Sequence, residues 1–324
     1  MRLQLPPLRL TGARALRRGR LQQRTVAIEN GRIAGGPFPA VELDGYLILP
    51  GIIDLHGTSL DRGPSRPLAS TSLLQRADRM AAASGVTTGW VSVGWCGAGG
   101  PDLALRILDC WARYRSAALT DLRMKVRYEM HSPTSAQSLA DAVHSYRIDQ
   151  VALGSRIARS IAPDDMIPKD LAGLAEAFDA AGICYGSLTE DDAAAREAMS
   201  RLGARLCEFP AQAEPALVAR ASGHPVLRRA SEMVARTDGA FETFPCDAIA
   251  SEGNHPALSH AAFSLVDRGM MSLSDAWSLI SERPAEIMGF PDRGRIEQRM
   301  RADLAILCER TGRVEATIRG GVLI

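Results

Sequence analysis

The run Ile52-Ile-Asp-Leu-His56 ends on an imidazole, and the small polar residues Gly57, Thr58 and Ser59 follow it. A histidine delivered at the C-terminal end of a buried strand stands where barrel enzymes place their chemistry, so His56 is a candidate metal ligand. The competing reading is a hydrogen-bonded structural histidine. Arg62, Arg66, Arg127, Arg156, Arg228 and Arg229 fall near expected strand ends. Converging, they would hold a phosphorylated ligand through charge-assisted, bidentate bonds; dispersed, they are surface residues. Cys96, in Trp95-Cys-Gly-Ala-Gly-Gly-Pro101, reads as a buried inert thiol before it reads as a nucleophile. The chain has no G-x-S-x-G elbow, no G-x-x-x-x-G-K-S/T loop and no H-E-x-x-H helix.

Strand and helix patterns alternate through the middle of the chain. Helical patterns cover 72–83, 102–116, 135–146, 170–181, 191–202 and 214–221, and then 256–268, 273–281 and 284–288. Between them lie strand patterns at 86–93, 124–129, 150–153, 182–185, 205–209 and 247–250. This rhythm predicts a (β/α)8 TIM barrel, in an α/β fold class. A doubly wound sheet shares the rhythm, but no G-x-G-x-x-G follows the first strand. Both ends read as strands and turns, with Asn30-Gly31 a two-residue hairpin signal and Pro50-Gly51 a break. The expectation is a small composite β-sandwich from residues 1–50 and 295–324, flanking a barrel over 51–294.

A net charge of +1 gives no global field for nucleic acid or anionic lipid. The basic run Arg14 to Arg20 reads as a solvated turn between strands. Six scattered cysteines without a C-x-x-C pair argue against a disulfide framework and a zinc ribbon, and fit a reducing cytoplasm. No stretch reaches the roughly 18 apolar residues of a membrane span, so a cytoplasmic location is expected. Assembly into a homo-oligomer is left open.

Pro50-Gly-Ile-Ile-Asp-Leu-His56 resembles the opening signature of the amidohydrolase superfamily. Ser281-Glu-Arg-Pro-Ala-Glu-Ile-Met-Gly-Phe290, Gly294-Arg-Ile296 and Arg301-Ala-Asp-Leu-Ala-Ile306 resemble its closing helix, glycine turn and return strand. Within it, Arg66-Pro67, Arg127-Tyr-Glu129, Cys207-Glu-Phe-Pro210 and Ser251-Glu-Gly-Asn-His-Pro-Ala-Leu258 look like the alkylphosphonate triphosphate diphosphatases of phosphonate metabolism. The resemblance implies metal ions at the C-terminal face of the barrel, held by His and carboxylate ligands that suit zinc, manganese or iron.

The ligand positions depart from that pattern. Thr58 stands where a second ligand belongs, with Asp61 nearby as a partial substitute. Ser155 and Leu188 occupy two histidine positions, and Arg228-Arg-Ala-Ser-Glu232 replaces a His-rich loop. Glu190 to Asp192 reads as an acidic helix start. Glu129 corresponds to a bridging carboxylate, or pairs with Arg127 or Lys125, which share its strand face. Glu252 replaces the aspartate that serves as ligand and general base, its extra methylene displacing the carboxylate by about 1 Å. His131, His255 and His260 read as loop or surface histidines.

Two functions follow. In one, a divergent metal-dependent hydrolase of a phosphonate or phosphate ester or anhydride uses His56, Glu129 and Glu252 around one ion, with Glu252 activating water. Arg66, Arg127 and Arg228 then hold phosphate. In the other, a catalytically inactive homologue keeps the barrel for phosphoribosyl-ligand binding or assembly. The cofactor is one weakly held divalent metal or none.

Overall fold

The computed structural model describes residues 2–61, 70–96, 99–129, 132–161, 167–235, 244 and 246–324. Arg62, Arg66 and His131 lie outside these described residues. Eight parallel strands run in chain order around one sheet: Ile52–Asp54, Val86–Gly94, Asp121–Tyr128, Gln150–Gly154, Cys184–Leu188, Leu206–Glu208, Val226–Arg229 and Ala248–Ala250. Helices lie between them, giving the (β/α)8 barrel with short strands buried on both faces. The seventh strand takes in Arg228 and Arg229, which the resemblance places in the loop after it, and only Val226 and Leu227 of its four residues are apolar. The fifth is shifted toward the mouth from the expected 182–185, since Ala181 and Gly182 close the preceding helix instead.

The junction at Pro50-Gly51 is where sandwich becomes barrel. Tyr46–Pro50 pairs antiparallel with Leu304–Cys308, from Leu304 opposite Pro50 to Cys308 opposite Tyr46. Two residues on, Ile52–Asp54 pairs parallel with the second barrel strand. Glycine is required here, because a Cβ on Gly51 would lie 2.4 Å from Thr87 Oγ1. The outer sheets draw on both termini: a seven-stranded sheet joins segments from 3–50 to 304–323, and a four-stranded sheet uses 8–42. Leu8, Leu10, Val26, Ile28, Ile48, Leu304, Ile306 and Ile318 pack between them.

Two hairpins in this unit turn on left-handed pairs. Asn30 and Gly31, at φ 49° and 75°, join Val26–Glu29 to Arg32–Ala34. Arg18 and Gly19 do the same between Arg14–Arg17 and Arg20–Gln23, so the basic run is a hairpin. The barrel's foot is held to the sandwich side by a charged cluster. Asp121 accepts from Arg293 at 2.5 Å and Arg301 at 3.3 Å, and both arginines also donate to Thr88 Oγ1 at 3.1 Å.

The sheet is closed without a ladder between its first and last strands. Ile53 N donates to Ile280 O at 2.8 Å and Ile249 N to Leu279 O at 2.9 Å, so backbone following the eighth strand bridges both edges from below. Above them, Ser251 N donates to Asp54 Oδ1 at 3.1 Å and Glu252 N to His56 O at 2.8 Å. Among the described residues no helix is long and apolar enough to cross a membrane.

Candidate active site

Two polar clusters occupy the barrel's interior, one reaching down from His56 and Glu208 to mid-strand Lys125 and to Gln150 at the start of the fourth strand, the other at the ends of the first and eighth strands. The first is built on the alternation of the third strand, which turns Lys125 and Arg127 to one face. Lys125 Nζ lies 2.6 Å from Glu208 Oε2 and 3.2 Å from His56 Nδ1, and all three side chains are buried. Glu208 Oε2 is also 2.8 Å from His56 Nδ1, and Gln150 Nε2 donates to Glu208 Oε1 at 3.2 Å. A charged lysine and glutamate reach this depth only as partners.

Burial works against the Glu208 carboxylate, but Lys125 and His56 hold it below the usual range. Burial and the adjacent Lys125 push His56 down, despite its hydrogen bond to Glu208. With Glu208 ionised and accepting, the His56 Nδ1–H is the donor and Nε2 carries the lone pair. The ring meets Phe209 edge-on at 5.0 Å.

The second cluster spans the seam. Asp54 is fully buried and accepts from Ser251 Oγ at 2.6 Å, Ser251 N at 3.1 Å and His56 N at 3.3 Å. Its Oδ2 stands 3.0 Å from His255 Nδ1, and His255 Nε2 stands 3.3 Å from Thr58 Oγ1. Burial acts to raise the Asp54 carboxyl, yet the bonds from His255 and Ser251 hold it below its ordinary value. Gly57 makes room for the arrangement: a Cβ there would sit 2.6 Å from Trp90 O and 3.1 Å from His255 Cε1. Three non-glycine residues immediately past strand ends or one residue later, Thr189, Phe209 and Glu252, take positive φ at 55°, 54° and 48°. Such backbone strain gathers at sites held in place by their surroundings.

The residues singled out from the sequence are placed as follows. His56 is buried in the Lys125 cluster. Arg127 forms a two-bond fork to Asp61, both at 2.7 Å, and donates to Ser59 Oγ at 2.8 Å. Glu129, half exposed, lies 3.8 Å from Arg127. Glu252 turns outward to Arg229 at 2.7 Å. Arg228 is buried, paired with Glu232 at 2.8 Å and packed over Phe244. Leu188 is buried. Arg156 is exposed, as is His260.

Two expectations are corrected. His255 is not a surface histidine, being 3 % exposed against Asp54. Glu190 is not a solvated helix start; it is buried, pairs with Arg196 at 3.1 Å and accepts from Cys207. Asp192 caps that helix instead, accepting from Ala195 N at 2.8 Å.

Among the described residues, the side chains around His56 do not fit a divalent ion. His56 keeps the tautomer that a metal ligand needs, but the donors expected beside it are otherwise bound. Glu208 faces the Lys125 ammonium, Glu252 faces Arg229, and Thr58 faces His255. Among the described residues no group of three His, Cys, Asp or Glu side chains is placed to hold a metal. A catalytic ion ordinarily needs about three protein ligands.

Lys125 and Gln150 carry no motif in the sequence, and Asp54, Glu208 and Ser251 fall inside the quoted family-like stretches without being given a role there. The available signal was a charged residue inside a short, otherwise apolar strand, as in Leu206-Cys-Glu208 and Ile52-Ile-Asp54.

Neither a protein-family model nor a curated protein matches the chain. Solved structures do. N-acetylglucosamine-6-phosphate deacetylase from Pasteurella multocida is 13% identical with a TM-score of 0.74, covering 97% of this chain and 98% of that one. 5-Methylcytosine deaminase from Klebsiella pneumoniae, liganded with phosphonocytosine, is 15% identical at a TM-score of 0.71, with 98% and 97% covered. Dihydropyrimidinase from Brevibacillus agri NCHU1002 is 13% identical at 0.68, covering 100% and 95%. At these identities the likeness is one of fold, and the chain has the fold of the TIM-barrel amidohydrolases.

Proposed function

We propose that the chain is a hydrolase of the amidohydrolase barrel type that works without a divalent ion, on a small uncharged ester or amide. The observation that carries this is Lys125 Nζ, 2.6 Å from Glu208 and 3.2 Å from His56. Burial pushes the Lys125 amine down and the adjacent Glu208 pulls it back up, and the pair takes up the carboxylate that an ion beside His56 would require.

The phosphonate or phosphate ester implied by the motif resemblance is the second substrate class. It needs cationic groups turned to the mouth, whereas among the described residues Arg127, Arg228 and Arg229 are turned to Asp61, Glu232 and Glu252. Binding a phosphoryl group would strip these guanidinium groups of carboxylates already in bonding geometry. That cost supports the neutral substrate. The inactive-homologue reading draws on the same internal pairing, which leaves the charged groups of both clusters paired without a ligand.

A substrate panel separates these readings. Chromogenic acyl esters and anilides are compared with phosphonate and phosphate esters in chelator-treated buffer. Turnover of the acyl compounds above the buffer blank supports the proposal. Turnover confined to phosphoryl compounds overturns the substrate class, and no turnover with either set supports the inactive barrel.

A further inference from the structure

We infer that Thr58, His255 and Asp54 form a nucleophile, base and orienting carboxylate for acyl transfer. The inference rests on the hydrolase reading above and names the residues that would carry it. Its basis is the order of atoms. Asp54 Oδ2, His255 Nδ1, His255 Nε2 and Thr58 Oγ1 follow one another at 3.0 Å across the first gap and 3.3 Å across the second.

Chemistry fixes the tautomer. Asp54 is ionised and buried, so it only accepts, and three other donors already point at it: Ser251 Oγ–H, Ser251 N–H and His56 N–H. Ser251 Oγ also lies 3.2 Å from His255 Nδ1, but its single proton goes to Asp54 at 2.6 Å, so the His255 Nδ1 facing the carboxylate carries a hydrogen. In the neutral ring Nε2 is then the basic nitrogen, and it is this atom that faces the Thr58 hydroxyl. A hydroxyl beside the free lone pair of an imidazole, which a buried carboxylate orients from behind, is the arrangement that activates a weak alcohol nucleophile.

The location suits substrate entry. Thr58 lies beyond the first barrel strand, at the face where such barrels carry their reacting groups, and is partly exposed while His255 and Asp54 are buried. Gly57 and Gly253 flank the pair. Gly253, at φ 92°, would bring a Cβ to 3.5 Å of Thr58 Cα. Arg127, which donates to Ser59 Oγ at 2.8 Å, sets a guanidinium one residue from the nucleophile.

The reaction closes without a co-reactant other than water. Thr58 Oγ1 bonds to the acyl carbon as its proton passes to His255 Nε2. The tetrahedral species collapses, the bond from acyl carbon to leaving group breaks, and His255 returns the proton to the departing alkoxide or amine. Water then attacks the threonyl ester, giving one proton to His255. The carboxylic acid departs as Thr58 Oγ1 regains that proton. Thr58 and His255 are the catalytic residues, and Asp54 is a positioning residue.

The test uses the full chain and a fluorophosphonate probe, which traps an activated hydroxyl by phosphonylation with loss of fluoride. Intact mass followed by peptide mapping locates the adduct, and 4-nitrophenyl acetate reports turnover. The inference expects one adduct per chain on Thr58, with labelling lost in Thr58→Val and retained in Thr58→Ser. His255→Ala should slow labelling by about 100-fold or more. Asp54→Asn should lower kcat with KM little changed, and should abolish the low-field proton signal of His255 Nδ1–H, which a purely structural role for Asp54 in the seam would leave tied to folding alone. Circular dichroism checks that each variant is folded. Ester turnover that persists in Thr58→Val, with no adduct on Thr58, overturns the nucleophile and leaves the hydrolase reading standing. No turnover and no adduct in the wild-type chain overturns both.

Discussion

Asp54 and His255 meet at 3.0 Å across the gap between the first and eighth barrel strands, where the sheet has no ladder of its own. The same carboxylate takes the Ser251 N–H and hydroxyl, so one side chain both closes the barrel and orients the imidazole. Replacing it with Asn turns an amide NH2 toward donors and strands part of a fully buried set. Asp54→Asn should lose about 1–3 kcal/mol of stability in urea titration. An unchanged midpoint would mean that the seam is held by its backbone bonds through Leu279, Ile280 and Glu252.

Lys125 and Glu208 form a pair buried on all sides. Lys125→Met leaves a buried carboxylate facing only His56 and Gln150 and should cost about 3–5 kcal/mol. Adding Glu208→Leu removes the stranded charge, so the double variant should recover much of that loss. Additive losses in the double-mutant cycle would contradict the pairing.

Asp121 gives the clearest acid dependence. Burial opposes its ionisation, but Arg123, Arg293 and Arg301 bring its carboxyl down to about 2. Because the folded value lies below the unfolded one, the stabilisation is complete above about pH 4 and is lost as pH falls toward 2. The shift corresponds to about 2 kcal/mol, reduced by partial solvent screening. The pH dependence of unfolding between 4 and 2 should therefore be shallower in Asp121→Asn than in the parent.

Gly57 separates His56 from Thr58 and leaves space that only hydrogen fills. Gly57→Ala would force the added carbon against Trp90 O and the His255 ring, at 2.6 and 3.1 Å. The expected cost is about 1–3 kcal/mol, with the His255 ring displaced from Thr58. A variant of parental stability and parental ester turnover would contradict this packing.

Much of the architecture was legible because it is periodic or punctuated. Apolar strands alternating with amphipathic helices gave the barrel, and Asn30-Gly31 and Pro50-Gly51 marked a turn and a junction through local backbone chemistry. The seventh strand was not legible, since Val226-Leu-Arg-Arg229 has too few apolar residues to register. The interior clusters were hidden for a different reason. Lys125 meets Glu208 across 83 positions and Asp54 meets His255 across 201, so no local pattern links them. The motif resemblance pointed to His56 as the mouth of the barrel. It also drew attention to Glu129 and Glu252, whose side chains turn to Arg127 and Arg229, while His255, inside the quoted Ser251–Leu258 stretch, read as a loop or surface histidine.

Metal content measured alongside turnover tests the central claim most directly. Protein purified without chelator is assayed by mass spectrometry for zinc, manganese and iron, and its hydrolysis of 4-nitrophenyl acetate is followed before and after chelation. The account predicts far less than one metal ion per chain and a rate unchanged by chelator or by added divalent ions. Near-stoichiometric metal that is lost in His56→Ala, with activity abolished by chelator and restored by the ion, would contradict it.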